Sequence, residues 1–262
     1  MRYRTDKSED EVFVEKEKVV LCWSGGKDSA MALHELRQSE QYEVVALLTT
    51  VAAEYDRVSH HGVRFELLAR QANALGLPLE ALRIAVTSPH PCRIDNNDGV
   101  MNAYEQLMRE TLLRYRQAGV RKVAFGDIFL EHLRTYRENN LAKIGMQGVF
   151  PIWRRDTREL VETFLTLGFR AYLTCVDGAK LGRAFAGREL DRDFLADLPD
   201  GVDPCGEHGE YHSYVYDGPI FGRRVNVRVG EIVERDVRWF ADLLPADSKT
   251  ALAELLEPGA LR

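Results

Sequence analysis

The sequence predicts an α/β fold, in which a parallel sheet is flanked by helices and followed by a second, smaller α+β domain. Three observations support this prediction. Strand-like and helix-like segments alternate four times over residues 19–144, the first strand runs directly into a glycine-rich loop, and the pattern changes after about residue 145. A chain of 262 residues is long enough for one domain of ordinary size and a smaller one.

The first half of the chain consists of short apolar runs, each followed by a segment with helical spacing. Apolar runs without alternation indicate strands that are buried on both faces, and Gly76 and Gly119 indicate the ends of two helices. The predicted strands are 19–23, 44–49, 82–86 and 122–125, and the predicted helices are 30–36, 61–75, 100–118 and 131–144. Because ligands bind at the carboxyl ends of such strands, the loops after residues 23 and 125 are the candidate site.

The second half of the chain has a mixed pattern. A helix is predicted over 157–167 and a strand over 169–176, and residues 211–216 and 224–229 alternate like two paired strands. Residues 237–261 have the spacing of two short amphipathic helices. The predicted organisation is a polar N-terminal tail (1–17), a parallel-sheet domain (18–145), a smaller domain (146–235) and a C-terminal helical tail (236–262).

Composition and charge narrow the classes of function. The formal net charge of −6 argues against a protein that wraps nucleic acid, because such proteins carry a basic face. No apolar run approaches the length that spans a bilayer, the charged N-terminus does not resemble a signal peptide, and the cysteines form no C-x-x-C pair. We expect a cytoplasmic protein with no nucleic-acid or membrane partner. The C-terminal segment is expected to pack on the body or on a partner, which leaves a homodimer open.

The loop Ser-Gly-Gly-Lys-Asp-Ser at 24–29 has the features of an anion site. Two glycines let the backbone N–H groups approach a phosphate, and the following helix directs its free N–H groups and partial positive charge to the same place. Lys27 adds a cation, and Asp28 can cap the helix or hold Mg²⁺ that bridges phosphates. The predicted phosphate-binding residues are Ser24, Gly25, Gly26, Lys27, Asp28 and Ser29, with Gly126 and Asp127 at the next strand end. The alternative for the loop is an ordinary Gly-Gly turn capped by an aspartate.

The string S-G-G-K-D-S between a strand and a helix resembles the signature of the PP-loop ATP pyrophosphatases, a superfamily with a HUP-like (adenine nucleotide alpha hydrolase-like) fold. The resemblance covers about residues 18–130. It implies that residues 18–145 form an ATP-binding domain and that ATP is split between its α and β phosphates, with Mg²⁺ as a cofactor. Residues 146–235 then form the substrate-binding domain.

Four further motifs resemble one branch of this superfamily, the diphthine–ammonia ligase family. These motifs are His61-Gly62-Val63-Arg64, Gly126-Asp127-Ile128, Pro151-Ile152-Trp153 and the segment G-E-H-G-E-Y-H-S at 206–213. The resemblance implies an ATP-dependent amide ligase (EC 6.3.1 class) that adenylates a carboxylate and joins it to ammonia. The carboxylate stays open between protein-borne diphthine and an unknown small molecule, because the segment 205–212 is closer to bacterial relatives.

Within these motifs we expect Lys27, Asp28, Glu207 and Glu210 to be catalytic. The predicted substrate-binding residues are His61, Arg64, Glu207, Glu210 and His212, and Asp28 is the predicted Mg²⁺ ligand. Glu207 and Glu210 are expected to position ammonia, take its proton or bind the substrate. From the residues alone, a solvated turn or a metal cluster remains open for 206–213.

Two other functions compete with the amide ligase. The first is a tRNA-modifying PP-loop enzyme that thiolates tRNA or forms lysidine. Thiolation would need a nucleophilic cysteine pair near the loop, and lysidine formation would need a basic RNA-binding surface, against which the net charge of −6 argues. A non-catalytic protein that binds adenine nucleotides would share the sheet but would need neither Asp28 nor the glutamates at 207 and 210.

Overall fold

The computed structural model describes residues 15–58, 62–85 and 98–246. The strands are β1 (Glu17–Cys22), β2 (Tyr42–Ala52), β3 (Arg57–Val58), β4 (Leu79–Ile84), β5 (Lys122–Ala124), β6 (Gln147–Val149), β7 (Arg170–Asp177), β8 (Tyr211–Asp217), β9 (Val227–Arg235) and β10 (Arg238–Pro245). The helices are α1 (Lys27–Gln38), α2 (Phe65–Leu75), α3 (Asp98–Gln117), α4 (Glu131–Ala142), α5 (Thr157–Thr166) and α6 (Arg192–Ala196), and a short 3-10 helix spans Arg183–Phe185.

The first sheet is mainly parallel, as the alternation predicts. β1 lies between β2 and β5, with Leu21 opposite both Leu47 and Ala124. β4 pairs with β2 on its far side, β6 pairs with β5, and only the short β3 runs antiparallel, against the end of β2. The predicted fold class is confirmed, and the pairing of β1 with β5 brings the loops that follow them side by side.

The second sheet is antiparallel and has the order β8-β7-β10-β9. The two segments predicted to form a strand pair with each other do not do so, because β8 pairs with β7 and β9 pairs with β10. Residues 211–216 lie in β8, whereas only 227–229 of the second segment lie in β9. Alternation marks a half-buried strand without identifying its neighbour. Helices α5 and α6 complete the smaller α+β domain.

The prediction of a helical C-terminal tail is wrong for residues 238–245. This segment is β10, which occupies the centre of the second sheet and pairs on both sides, with β7 and β9. A tight turn with positive φ at Asp236 and Val237 joins it to β9. Trp239, Phe240 and Leu243 mimic helical spacing, and the two neighbouring strands override that local preference. Residues 247–262 lie outside the described residues.

The two domains share one hydrophobic core. Buried residues of the first sheet and its helices, such as Trp23 and Leu68, belong to the same apolar cluster as Tyr214 and Val215 of β8. The opposite face of the first sheet is covered by α3 and α4 and has a separate cluster around Phe125. The shared core fixes β8 and the turn before it against the loop that follows β1. No helix within the described ranges is long and apolar enough to cross a membrane.

Candidate functional site

A cleft of about 750 Å³ opens at the carboxyl ends of β1, β2 and β5. One wall is the loop 24–29 with the start of α1, and the second wall is the loop after β5. The turn before β8 supplies residues from the smaller domain. The polar residues that line the cleft are Ser24, Lys27, Asp28, Ser29, Thr49, Thr50, Tyr104, Asp127, Tyr136, Arg137, Glu207, His208, Tyr211, His212 and Ser213.

The loop 24–29 has the shape of an anion cradle. Gly25 has a φ of +79°, and a Cβ at this position would lie 2.6 Å from the Gln71 side-chain oxygen, so only glycine fits. The Gly26 N–H donates to Ser24 Oγ at 3.3 Å, and the Ser29 hydroxyl lies 3.2 Å from the same oxygen. Helix α1 begins at Lys27, its N-cap residue Gly26 has no side chain to cap the helix, and Ser213 Oγ accepts from the Lys27 N–H. These N–H groups and hydroxyls at a helix N-terminus fit a phosphate.

Gly126 supports this cradle from the neighbouring strand. A Cβ on Gly126 would lie 2.8 Å from the carbonyl carbon of Asp28 and 2.9 Å from the Ser29 nitrogen. The loop after β5 therefore touches the first turn of α1 directly. Glycine is required at residue 126 because of this close contact, and Asp127 lines the cleft.

Lys27 is buried and already has an anionic partner. Its side chain is 5% exposed, its Nζ lies 2.8 Å from Asp28 Oδ1, and the ammonium group lies 5.5 Å from the Tyr211 ring centre. Burial is the largest single effect and would lower the pKa of Lys27, but Asp28, Cys205 and Tyr211 together outweigh it and raise the pKa. Lys27 is thus a permanently charged cation at the base of the cradle.

Three carboxylates, Asp28, Asp127 and Glu207, face the same cleft from three different elements. Burial raises the pKa of Asp127, and the negative charge of Asp28 adds to this, whereas the Arg137 guanidinium opposes it with Nε 2.8 Å from Oδ2. Burial also raises the pKa of Glu207, together with the charges of Asp28 and Asp127. Carboxylates that share a cleft disfavour each other's ionised form, which makes them acceptors for protons or cations.

The polar turn before β8 is organised by the buried side chain of Glu210. Glu210 is 0% exposed, and its carboxylate accepts from the His208 N–H at 2.9 Å and from Lys180 Nζ at 3.0 Å. Burial alone would raise the pKa of Glu210, but Lys180 and the N–H groups of Glu210 and Asp203 together outweigh it and lower the pKa. The structure therefore does not bring Glu210, predicted as a catalytic and substrate-binding residue, to the cleft, because its side chain points into the turn.

Glu207, three residues earlier, does reach the cleft. Its Oε1 accepts from the Phe129 N–H at 3.2 Å, which links the turn to the loop after β5. Asp203 holds the turn in place by accepting from the N–H groups of Cys205 at 2.8 Å and Glu207 at 3.2 Å. The two glutamates of the motif thus have different tasks, one at the cleft and one inside the turn.

The predicted substrate-binding residues His61, Arg64 and His212 have three different outcomes. His212 lines the cleft. Arg64 is not among the residues that line the cleft, and its guanidinium pairs with Asp242 of β10 at 2.6 and 3.0 Å. Arg64 immediately precedes α2, and its ion pair with Asp242 connects the start of this helix to the second sheet. His61 lies outside the described residues.

Among the residues that the structure describes, the two cysteines near the cleft, Cys22 and Cys205, are not activated as nucleophiles. Burial raises the pKa of Cys22 to about 12 and that of Cys205 to about 12, so both thiols are protonated at neutral pH. This observation argues against the thiolating alternative, which needs a thiolate.

Sequence reasoning missed two residues that hold the cradle. Ser213 of β8 accepts from the Lys27 N–H at 3.1 Å, and Gln71 of α2 is fully buried behind Gly25. Gln71 was detectable as a polar residue on the apolar stripe formed by Leu67 and Leu75. Thr49, 3% exposed at the cleft, has a hydroxyl without a hydrogen-bond partner and could not be distinguished from other strand threonines.

Comparison with known proteins identifies the family. Models of the diphthamide synthase N-terminal and C-terminal domains match residues 17–148 and 156–247. A diphthine–ammonia ligase of Danio rerio is 29% identical over 82% of this chain and 88% of its own length. The diphthine–ammonia ligase of Homo sapiens is 26% identical over 86% of this chain and 88% of its own length. A Schizosaccharomyces pombe diphthine–ammonia ligase is 27% identical over 83% of this chain and 37% of its own length.

A solved structure, a U34-tRNA thiolase from Methanococcus maripaludis, aligns with 60% of this chain and 59% of its own chain at 15% sequence identity. The TM-score of 0.37 is too low to bear on function. The family matches span both halves of the chain and confirm the predicted class, an ATP-dependent amide ligase. The chain belongs to the diphthamide synthase family.

Proposed function

We propose that this enzyme adenylates a substrate carboxylate with ATP and converts the adenylate to an amide with ammonia, releasing AMP and pyrophosphate. The observation that carries this proposal is the arrangement of the cleft. A phosphate cradle at the start of α1 faces three carboxylates, and a turn of the smaller domain closes the other side. Because the curated relatives are named diphthine–ammonia ligases, diphthine is the first acceptor to test. An unidentified small carboxylate is the second.

The residues around the cradle fit the outer phosphates of ATP. The proposed ligands are the N–H groups of the loop, the hydroxyls of Ser24 and Ser29, and the ammonium group of Lys27. These groups have fixed positions, so they stabilise charge that develops on a leaving pyrophosphate without reorganising.

Asp28 is the proposed protein ligand for Mg²⁺, with Asp127 in reach of the same part of the cleft. Within the described residues, no group of three or more His, Cys, Asp or Glu is arranged to hold a metal ion. Mg²⁺ commonly binds through one or two carboxylates together with phosphate oxygens and water, and the donor set here fits that mode. When bound, the ion would neutralise phosphate charge.

The first step joins a substrate carboxylate oxygen to the α-phosphorus and breaks the bond to the β-phosphate oxygen. Pyrophosphate leaves into the cradle, where Lys27 and the loop N–H groups receive its charge. The turn at 206–209, held by Glu210 and Asp203, covers the smaller-domain side of the cleft and limits the access of water to the adenylate.

The second step joins ammonia nitrogen to the acyl carbon and breaks the bond to AMP, which leaves one proton to be removed. Glu207 is the proposed acceptor of that proton. Its raised pKa makes it a stronger base than an exposed glutamate, and its anionic form attracts ammonium into the cleft. The Phe129 N–H fixes the orientation of its carboxylate.

The test supplies ATP, Mg²⁺ and ammonium to the purified protein with elongation factor 2 that carries diphthine, or with a panel of small carboxylic acids. We expect AMP, pyrophosphate and amide in equal amounts, with the acceptor about 1 Da lighter as hydroxyl is replaced by amino. Release of ADP and phosphate, or AMP formation that no acceptor stimulates, would contradict the proposal. Glu207→Gln, which keeps the fold contacts of the side chain, is the matched negative control.

A further inference from the structure

Gln71 is a buried polar residue outside the cleft that contacts the phosphate loop. It lies on α2, is 0% exposed, and sits between the loop and β8 of the smaller domain. Its Oε1 accepts from Trp23 Nε1 at 2.9 Å, and its Nε2 donates to the Gly25 carbonyl at 3.0 Å and to the Val215 carbonyl at 2.5 Å. The Trp23 contact fixes which end of the Gln71 amide is the oxygen, so the nitrogen must face Gly25.

The Gly25 carbonyl is held from two domains at once. It accepts from Gln71 Nε2 at 3.0 Å and from the Val215 N–H of β8 at 2.9 Å. Both donors belong to fully buried residues, so this carbonyl points into the shared core.

The direction of this carbonyl decides where the next N–H points. The Gly25 carbonyl and the Gly26 N–H belong to the same planar trans peptide unit, in which the two groups face opposite ways. With the carbonyl directed into the core, the Gly26 N–H is directed to Ser24 Oγ at 3.3 Å, and both Ser24 and Gly26 line the cleft. The contacts of Gln71 therefore orient a donor that faces the candidate phosphate position.

This peptide unit would rotate easily without those contacts. It is flanked by two glycines, which lack the Cβ that restricts rotation in other residues. Gln71 also occupies the space beside Gly25, since a Cβ there would lie 2.6 Å from its Oε1. One side chain thus supplies both the hydrogen bond and the steric contact that favour a single orientation.

We propose that Gln71 is a positioning residue of the phosphate loop, which holds the Gly25–Gly26 peptide in its anion-binding orientation and joins the loop to the smaller domain. The inference rests on the proposed binding of ATP phosphates in this loop. Gln71 touches neither substrate nor reacting atoms in this account.

The test compares Gln71→Met with Arg37→Met. Methionine keeps the length of glutamine and suits the apolar surroundings, but it cannot donate or accept strongly. Arg37 is the matched control because its guanidinium also bridges the domains, donating to the Ile220 carbonyl at 2.5 Å and the Leu75 carbonyl at 2.7 Å, away from the phosphate loop. Both variants lose hydrogen bonds between the domains, but only Gln71→Met loses the hydrogen bond to the Gly25 carbonyl.

Calorimetric titration with ATP and Mg²⁺, and separately with AMP, measures the effect. We expect Gln71→Met to bind ATP about tenfold more weakly than wild type, because one oriented hydrogen bond to a charged phosphate is lost. AMP, which lacks the outer phosphates, should bind equally to both proteins. In turnover assays KM for ATP should rise with kcat changed less than threefold, and Arg37→Met should retain the wild-type affinity for ATP.

Each outcome decides between the two proposals. If wild type fails to bind ATP, the proposed function itself is overturned. If wild type binds ATP but Gln71→Met binds it as tightly as Arg37→Met does, only the role of Gln71 is overturned, as it also is if AMP binding weakens in parallel. Should Gln71→Met fail to fold, Gln71→Leu gives the same test, because leucine is also apolar and cannot donate to the Gly25 carbonyl.

Discussion

Gly126 contacts the backbone of Asp28 so closely that a Cβ on Gly126 would fall 2.8 Å from the Asp28 carbonyl carbon. The two residues follow neighbouring parallel strands, β5 and β1, and meet where both strands end. The contact sets the distance between the phosphate loop and Asp127. A glycine that appears as an unremarkable strand end in the sequence thus fixes the width of the cleft.

Gly126→Ala should force the loop after β5 away from α1. We expect a loss of about 1–3 kcal/mol in the free energy of unfolding, as for other overpacked sites, and a higher KM for ATP. Denaturant unfolding and steady-state kinetics measure the two effects. Gly182→Ala is the control, since a Cβ there meets nothing within 4 Å and should change stability by less than about 0.5 kcal/mol. Equal behaviour of the two variants would contradict the steric role of Gly126.

Asp28→Ala should abolish Mg²⁺-dependent turnover and also destabilise the protein. It leaves the Lys27 ammonium, 5% exposed, without the carboxylate that now lies 2.8 Å away. Because Asp28 is partly exposed, we expect a loss of about 1–3 kcal/mol rather than the larger cost of a fully buried pair. In a double-mutant cycle, adding Lys27→Met should restore part of that stability. A double variant that is less stable than Asp28→Ala would refute the pairing.

Glu207→Gln should lose amide synthesis and gain stability at neutral pH. A carboxyl group with a raised pKa disfavours the folded state once it ionises, so its contribution to stability is lost as pH rises through that pKa. Glutamine removes this cost and can still accept from the Phe129 N–H. Unfolding curves should therefore separate above the Glu207 pKa and coincide in acid, below the pKa of an unfolded glutamate. A variant less stable than wild type at neutral pH would contradict the raised pKa.

The raised pKa of Glu207 should also appear in the pH dependence of wild-type activity. Only the ionised Glu207 accepts a proton, so amide formation should rise with pH through a pKa above that of an exposed glutamate. This limb of the pH profile should be absent from whatever activity Glu207→Gln retains. A profile that is unchanged by the substitution would assign the limb to another group.

Glu210→Gln should behave in the opposite way, as a stability variant. It loses the ion pair with Lys180 and weakens the bonds that shape the turn, which should lower stability by about 1–3 kcal/mol. Because the pKa of Glu210 is lowered in the fold, its contribution is present above the pKa of an unfolded glutamate and is lost as pH falls. KM for ATP should stay within about twofold of wild type. A large loss of ATP affinity in stably folded protein would contradict this prediction and assign Glu210 a role in ATP binding.

Local signals were sufficient for the parallel sheet and the phosphate loop. The apolar run before Ser24, the glycine pair and the helix that begins at Lys27 are neighbours in sequence, so the cradle could be predicted from one short segment. The pairing of β1 with β5, which places the two loops side by side, was not predicted.

Contacts between segments that are distant in sequence determine the features that could not be predicted. Residues 238–245 have helical spacing and still form a strand, because β7 and β9 supply partners on both sides. Glu207 and Glu210 are both polar residues of one turn, and only the packing of that turn shows which side chain enters the cleft. Arg64 was predicted to bind substrate, but it forms an ion pair with Asp242 of the last strand.

A crystal structure with Mg²⁺ and an ATP analogue that resists cleavage between the α and β phosphates tests the central claim most directly. We predict that the β and γ phosphates lie within hydrogen-bond distance of the N–H groups and hydroxyls of Ser24 to Ser29, with the Gly25 carbonyl still directed at Gln71. The α-phosphate should then face Glu207. A triphosphate bound elsewhere in the cleft, with the loop free of phosphate, would contradict the account.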